Sequence, residues 1–184
     1  MASRPTLTVA SVPAWRVPVH PTHRVALVGE APSPAFRPDV HDPNHYAMYP
    51  YPERSAAGRL KKLLGWSRTE YLQVFARANL LDFYPGQTFP LAVARPLAAP
   101  LAQRLAPRPL ILLGRGVAGA FSLPTQEVCE WQDYLLGSTL IRAAMIPHPS
   151  GLNQWYNQPG NRERVRAWLQ QECEALGCFQ DLGG

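Results

Sequence analysis

The stretch "RVALVGEAPS", residues 24–33, decides the fold. Val25, Ala26, Leu27 and Val28 run together without polar alternation and stop at Gly29, with prolines close behind at 32 and 34. An apolar run of this length halted by glycine is the pattern of a strand buried on both faces that ends at the carboxyl edge of a parallel sheet. The rest of the chain must then supply partner strands and helices for both faces.

It does so in alternation. Ser55 ahead of "AAGRLKKLL", with Gly65 at its end, marks one helix, and "SRTE" at residues 67–70 is a capping box that opens a second. A second strand is expected over residues 74–81. Residues 91–105 are rich in alanine and leucine but hold Pro96 and Pro100, so helix in separate pieces is expected there. Residues 109–113 read as a third strand, 117–121 as its helix and 140–146 as a fourth strand. Asn161 is placed to cap a closing helix whose apolar stripe is Val165, Trp168, Leu169, Cys173 and Leu176, with Gly177 as its stop. The expected fold class is α/β: a three-layer αβα sandwich around a mainly parallel, four-stranded sheet.

At 184 residues with 46% hydrophobic content, the chain fits one domain, read here as residues 23–184, preceded over residues 1–22 by an extended arm carrying Pro5, Pro13, Pro18 and Pro21. Residues 31–54 form a long proline-rich loop, a length that inside a domain usually signals function. The net charge is +5 and all but two of the 18 basic residues are arginine, which suits bidentate recognition of phosphate or carboxylate. A polyanionic partner fits this balance without being required by it. Cys129, Cys173 and Cys178 form no CxxC pair, which argues against a disulfide scaffold, a zinc site or an iron–sulfur cluster and for an intracellular setting. No leader pattern and no apolar run near ~18 residues is present, so neither export nor a membrane span is expected.

Ligands of open α/β sheets bind outside the carboxyl ends of the strands. The four ends here read "GEAPSP", "NLLDFYPG", "GRGVAG" and "HPSGLN". The third has the outline of a dinucleotide fingerprint, with Asp133 nineteen residues beyond Gly114. Only one strand–helix unit remains after it, whereas a dinucleotide fold needs another mononucleotide half. A glycine- and alanine-rich helix start packed on the sheet is the simpler reading, with a nucleotide-binding enzyme as a rival. The other ends make sense together: a rigid turn with one carboxylate at Gly29-Glu30-Ala31-Pro32, an amide at Asn79, and an imidazole at His148 between Pro147 and Pro149.

At these residues the sequence resembles the uracil-DNA glycosylase superfamily. "GEAPS" is similar to the GEAPG of its family-4 enzymes, and "HPSGLN" to the HPS-x-L motif of the uracil-specific members and the NPSGLS motif of the mismatch-specific ones. "SAAGRL" and Asn79 fall where the superfamily has an A-G-x-L helix start and a base-reading asparagine. The resemblance covers about residues 24–168. It implies a monofunctional DNA glycosylase that flips a pyrimidine nucleotide out of the duplex and hydrolyses its N-glycosidic bond. His148 would donate to the oxygen of the departing base, Glu30 would serve the attacking water, and Asn79 would read the base edge. Gly29, Ala31, Pro32 and Ser33 would line the base, with Tyr49 stacked on it, Tyr46 and Tyr51 being the next choices. Leu152 would fill the vacated stack, while Ser150, Gly151 and Asn153 lie against phosphates or the opposite base.

Three departures from the family pattern matter. Ala31 stands where uracil-specific members have an aspartate, and the cluster cysteines of family 4 are absent, so neither metal nor cofactor is implied. Ser33 replaces a tyrosine that excludes the thymine methyl group, which would admit pyrimidines substituted at C5. The only lysines, Lys61 and Lys62, fall on an expected helix away from the strand ends, against Schiff-base chemistry. The implied setting is cytoplasmic, of bacterial or phage type, and the implied state monomeric, with DNA as partner. A protein of the same fold that binds DNA or a modified base without excising it is the alternative.

Overall fold

The apolar runs pair side by side as one sheet in the structure, a computed structural model that describes residues 19–37, 39–125 and 127–180. In chain order the elements are β1 (Val25–Gly29), α1 (Ala56–Leu64), α2 (Arg68–Val74), β2 (Phe75–Asn79), α3 (Leu91–Leu105), β3 (Leu110–Leu113), α4 (Arg115–Ala120), β4 (Gln132–Leu136), β5 (Thr139–Ile146) and α5 (Asn161–Ala175). Short 3-10 turns lie at Pro43–His45 and Gln154–Asn157. The sheet order is β2-β1-β3-β5-β4. β2, β1, β3 and β5 pair in parallel, and β4 runs antiparallel to β5.

The α/β class is as read from the sequence, but the sheet has five strands rather than four. β4 joins β5 through Gly137 and Ser138, with Gly137 at φ 63°. β4 sits on the sheet's rim with its residues only half-buried or exposed, so it lacks the continuous apolar run that betrayed the other strands. The Gly-Ser pair between two short runs was the readable signal for this hairpin.

Strand residues alternate between two cores. Ala26, Val28, Ala76, Ala78, Leu110 and Leu112 face α3 and α4, meeting Ala98, Leu101, Val117 and Phe121. Val25, Leu27, Phe75, Ile111 and Leu113 face the other way onto Leu60 and Leu64 of α1, Tyr71 of α2, and Val165 and Leu169 of α5. Full burial of one such leucine contributes about 1.5–3 kcal/mol.

Local chemistry sets most helix ends as expected. The Ser55 hydroxyl accepts from Gly58 N–H, and Gly65 closes α1 in the left-handed conformation at φ 73°. Ser67 and Glu70 form the reciprocal capping box of α2. Two expectations fail. α3 is continuous through Pro96 and Pro100 because both prolines face solvent, while Ala94, Ala98, Leu101 and Leu105 recur on the buried stripe. Packing of that stripe outweighs the two missing backbone donors. α5 is preceded by Gly160 at φ 79°, and Asn161 does not cap it: its Nδ2 donates instead to the Trp155 carbonyl and to Gln158 Oε1. The arm read over residues 1–22 lies outside the described residues apart from 19–22, where Val19 packs on the α3 core. Among the described residues no helix is long and apolar enough to cross a membrane.

Gly58 is held where α1 crosses the preceding loop. A Cβ there would fall 2.5 Å from the Pro52 carbonyl oxygen and 2.6 Å from Glu53 Cα, both backbone atoms that cannot swing aside. In an open helix Gly→Ala gains up to about 1 kcal/mol. Here the sign should reverse: Gly58→Ala is expected to lose about 1–3 kcal/mol, read as a lower urea midpoint with unchanged slope. A higher midpoint would show that the crossing is looser than drawn.

Candidate functional site

Gly29 and Asn79 are register partners at the carboxyl ends of β1 and β2. Period-2 geometry puts Phe75, Arg77 and Asn79 on one face of β2. Phe75 enters the apolar core, and the two polar residues that follow reach the loop beyond the sheet edge. One Arg77 Nη donates to the carbonyls of Asn44 and Ala47 at 3.1 and 3.0 Å. Asn79 Nδ2 donates to the Tyr46 carbonyl at 3.0 Å, and the Tyr46 hydroxyl returns a bond to the Leu81 carbonyl.

These bonds fix which way the Asn79 amide points. Exchanging its oxygen and nitrogen would set two oxygens against each other, so Nδ2 stays on Tyr46 and Oδ1 faces the opposite way. Asn79 is 1% exposed, and its Oδ1 is buried without a hydrogen-bond partner among the described residues. Leaving an acceptor in that state costs about 1–3 kcal/mol. The oxygen leans over β1: a Cβ on Gly29 would come within 2.8 Å of it and 3.0 Å of Met48 Sδ. Met48 itself has φ 44°, a left-handed conformation that β1 and the loop bonds hold in place.

A second close approach lies two strands away. Gly114, at φ 91° after β3, donates its N–H to the Ile146 carbonyl at 2.8 Å, and a Cβ there would fall 3.1 Å from His148 Cβ. The motif that imitates a dinucleotide loop therefore makes room for the histidine. Gly116 faces the Phe89 ring ahead of α3, where packing on the sheet was expected. Asp133, the acid of the fingerprint, pairs with Arg142 in the middle of the β4–β5 ribbon and not at the sheet's carboxyl edge.

The backbone around His148 is clamped. Its carbonyl accepts from Ser150 N–H at 2.8 Å and from Asn153 Nδ2 at 2.9 Å, while Asn153 Oδ1 accepts from Trp155 N–H. The Tyr156 hydroxyl donates to the Pro147 carbonyl. The ring nitrogens of His148 make no hydrogen bond among the described residues. Burial holds the imidazole below its ordinary pKa, so it is neutral at pH 7 with one N–H to donate.

The remaining expected residues are dispersed around this frame. Glu30 is half-buried, and burial raises its carboxyl above the ordinary glutamate range. Ala31 is half-buried and Pro32 buried, whereas Ser33 is exposed, its hydroxyl accepting from Ala35 N–H within a turn. Tyr49 stacks on His45 at 3.8 Å and lies 5.7 Å from the Arg77 guanidinium. Leu152 is 93% exposed at the tip of the loop. Asn153 spends both ends of its amide on that loop, leaving Ser150, Gly151 and Leu152 as its outward groups. Arg77, Met48 and Gly114 were missed as site residues. An arginine inside "FARAN" was a signal for the first and the first glycine of "GRGVAG" for the last; nothing local marked Met48.

Two half-buried histidines set a pH dependence. His148 has its folded pKa depressed, and His23, bonded to the Leu72 carbonyl, is lowered by burial to about 4. Unfolded histidines take up protons near pH 6.5 while the folded ones resist, so acidification favours the unfolded state. Denaturation midpoints should fall between pH 6.5 and about 4, and His23→Gln and His148→Gln should each flatten that decline. A decline of equal size in both variants would place the titration elsewhere. No protein-family model matches this chain, and no curated protein does.

Proposed function

We propose that the chain is a DNA glycosylase that hydrolyses the N-glycosidic bond of uracil or a C5-modified pyrimidine flipped from the helix. The observation that carries this reading is the pair of groups set against two glycines at the carboxyl ends of the strands. Asn79 Oδ1 reaches from β2 over Gly29, and the Cβ of His148, beyond β5, lies against Gly114. β2 and β5 are three inter-strand steps apart, roughly 14 Å between backbones at about 4.8 Å per step. The flat ring of the base takes its place between these two residues once Met48 moves from over Gly29. The finer architecture belongs to the same reading: helix layers on both faces of the four parallel strands, with β4 as an added rim.

The chemistry assigned to these groups balances. A water oxygen bonds to C1′ of the sugar as the C1′–N1 bond breaks, and the bonding pair leaves with the base. Negative charge then grows on the pyrimidine O2, where the neutral His148 N–H donates a hydrogen bond. The water's proton passes to Glu30 or to solvent. A fixed donor in a poorly solvated site stabilises such charge far more than the same donor in water. Removing the base from the stack costs a few kcal/mol. The exposed Leu152 is suited to fill the vacancy.

Asn79 supplies a specificity rule. With one Nδ2 hydrogen held by Tyr46, Oδ1 is left as an acceptor, so the base edge facing it must bring a donor such as N3–H. Met48 lies over Gly29, and its displacement admits the ring.

A second reading, base binding without excision, is favoured by Ala31 in place of the family's aspartate and by the partial exposure of Glu30. Alkali cleavage of oligonucleotides carrying uracil, thymine or 5-hydroxymethyluracil separates the two. Release of at least one base is expected, reduced about a hundred- to a thousand-fold by His148→Ala. Blocking the donor with N3-methyluracil should abolish release. Equal excision of the methylated base would remove Asn79 from base reading, and binding without cleavage across the panel would leave the second reading.

A further inference from the structure

The loop after His148 forms one wall of an open groove of about 400 Å³. Arg59 and Lys62 of α1 line one side, and Arg162 and Arg166 of α5 line the other, with Glu163 the one carboxylate among the lining residues. On each helix the two cations are three or four residues apart and share a face. Neighbouring like charges on a helix repel, so this arrangement costs stability unless an anion lies between the rows.

The arginines are held in a way that leaves them free to bind. Arg59 Nε donates to the Arg54 carbonyl and Arg162 Nε to the Tyr156 carbonyl, both at 3.0 Å. Each keeps its terminal nitrogens for a two-point contact, the geometry that matches a phosphate. Arg59 also lies directly against the His148 loop: a Cβ on Gly151 would fall 2.7 Å from its Nη2. The cationic rows thus begin beside Leu152, the exposed residue assigned to the vacated stack.

We propose that this groove carries the sugar–phosphate backbone of the DNA strand next to the extruded nucleotide, with Arg59, Lys62, Arg162 and Arg166 as phosphate contacts. The inference rests on the glycosylase reading and extends it from the base to the path of the strand. Two facing rows of cations suit a linear polyanion better than one compact anion. The groove also adjoins the side of the His148 loop that a duplex must approach if Leu152 is to enter it.

The test is fluorescence anisotropy with undamaged DNA over a series of potassium chloride concentrations. Each phosphate contact contributes about 0.9 to the slope of log affinity against log salt on duplex, or about 0.7 on single strands. Arg59→Gln/Arg166→Gln is expected to weaken binding and lower that slope by about 1.4–1.8. Arg166→Lys should keep the slope, and Arg95→Gln on the exposed side of α3 should leave both quantities unchanged. Because all these positions are exposed, correct folding is checked by the urea midpoint. An unchanged slope in the double variant, no DNA binding by the parent protein, or tighter and groove-dependent binding of RNA of the same sequence would each overturn the proposal. Excision measured in parallel keeps the two readings apart. Groove-dependent binding without excision removes the glycosylase, and excision with an unaltered slope removes the groove.

Discussion

A guanidinium and an amide two residues apart on β2 hold the long loop of residues 31–54 against the sheet. Arg77 and Asn79 are the only polar or charged side chains among the buried described residues, at 7% and 1% exposure. Both donate to carbonyls between Asn44 and Ala47, Arg77 through one Nη. A buried arginine is costly unless its donors are met, and this one leaves Nε unpaired while burial depresses its pKa. The structure tolerates that cost because the same strand contributes Phe75, Ala76 and Ala78 to well-filled cores on both faces. If the loop detached, Asn79 would lose its fixed orientation and Met48 would leave Gly29. The acceptor that defines the candidate site exists only because the loop is tied down.

The parts of this arrangement that were legible in the sequence are those with local causes. Ser55, Gly65, Ser67 and Glu70 set helix ends through bonds spanning three or four residues, and they appear as read. Gly29, Asn79 and His148 could be found because an apolar run that stops marks a strand end, and strand ends share an edge. The continuity of α3 was hidden because the burial of Ala94, Ala98 and Leu101 beneath it is a tertiary effect that overrides two prolines. β4 was hidden because an exposed rim strand lacks a buried strand's composition. Met48 and the Tyr46 carbonyl were hidden for a deeper reason: backbone groups carry no sequence label, and which loop folds onto which amide is decided by contacts more than thirty residues apart.

Gly114 shows how one motif can be read rightly for its geometry and wrongly for its ligand. A glycine at φ 91° after a buried strand allows a close approach, and in a dinucleotide fold that approach is made by a pyrophosphate. Here it is made by the backbone of the next strand's exit, at His148. The difference lies in topology. β5 pairs directly with β3, so the chain leaving β5 passes over the turn where a nucleotide would otherwise sit.

Charge is distributed in the opposite sense inside and outside the candidate site. At the sheet edge the candidate acceptor and donor, Asn79 and His148, are uncharged, and burial keeps the histidine that way. A few residues farther along the chain, Arg162 and Arg166 face Arg59 and Lys62 across an open groove. A cation placed beside the base would stabilise a departing anion, but it would also attract phosphate and chloride, and in a buried position it would need a partner of its own. In the proposed glycosylase, separating the two functions avoids that conflict. Exposed arginines, cheap to hydrate and sensitive to salt, suit attraction of a polyanion. A neutral donor fixed by flanking prolines and a clamped carbonyl suits the moment of bond breaking, when preorganisation counts for more than net charge. The eight residues from Pro149 to Tyr156 connect these regimes, so in the proposed glycosylase the strand in the groove and the imidazole at the sheet edge are positioned by the same short loop.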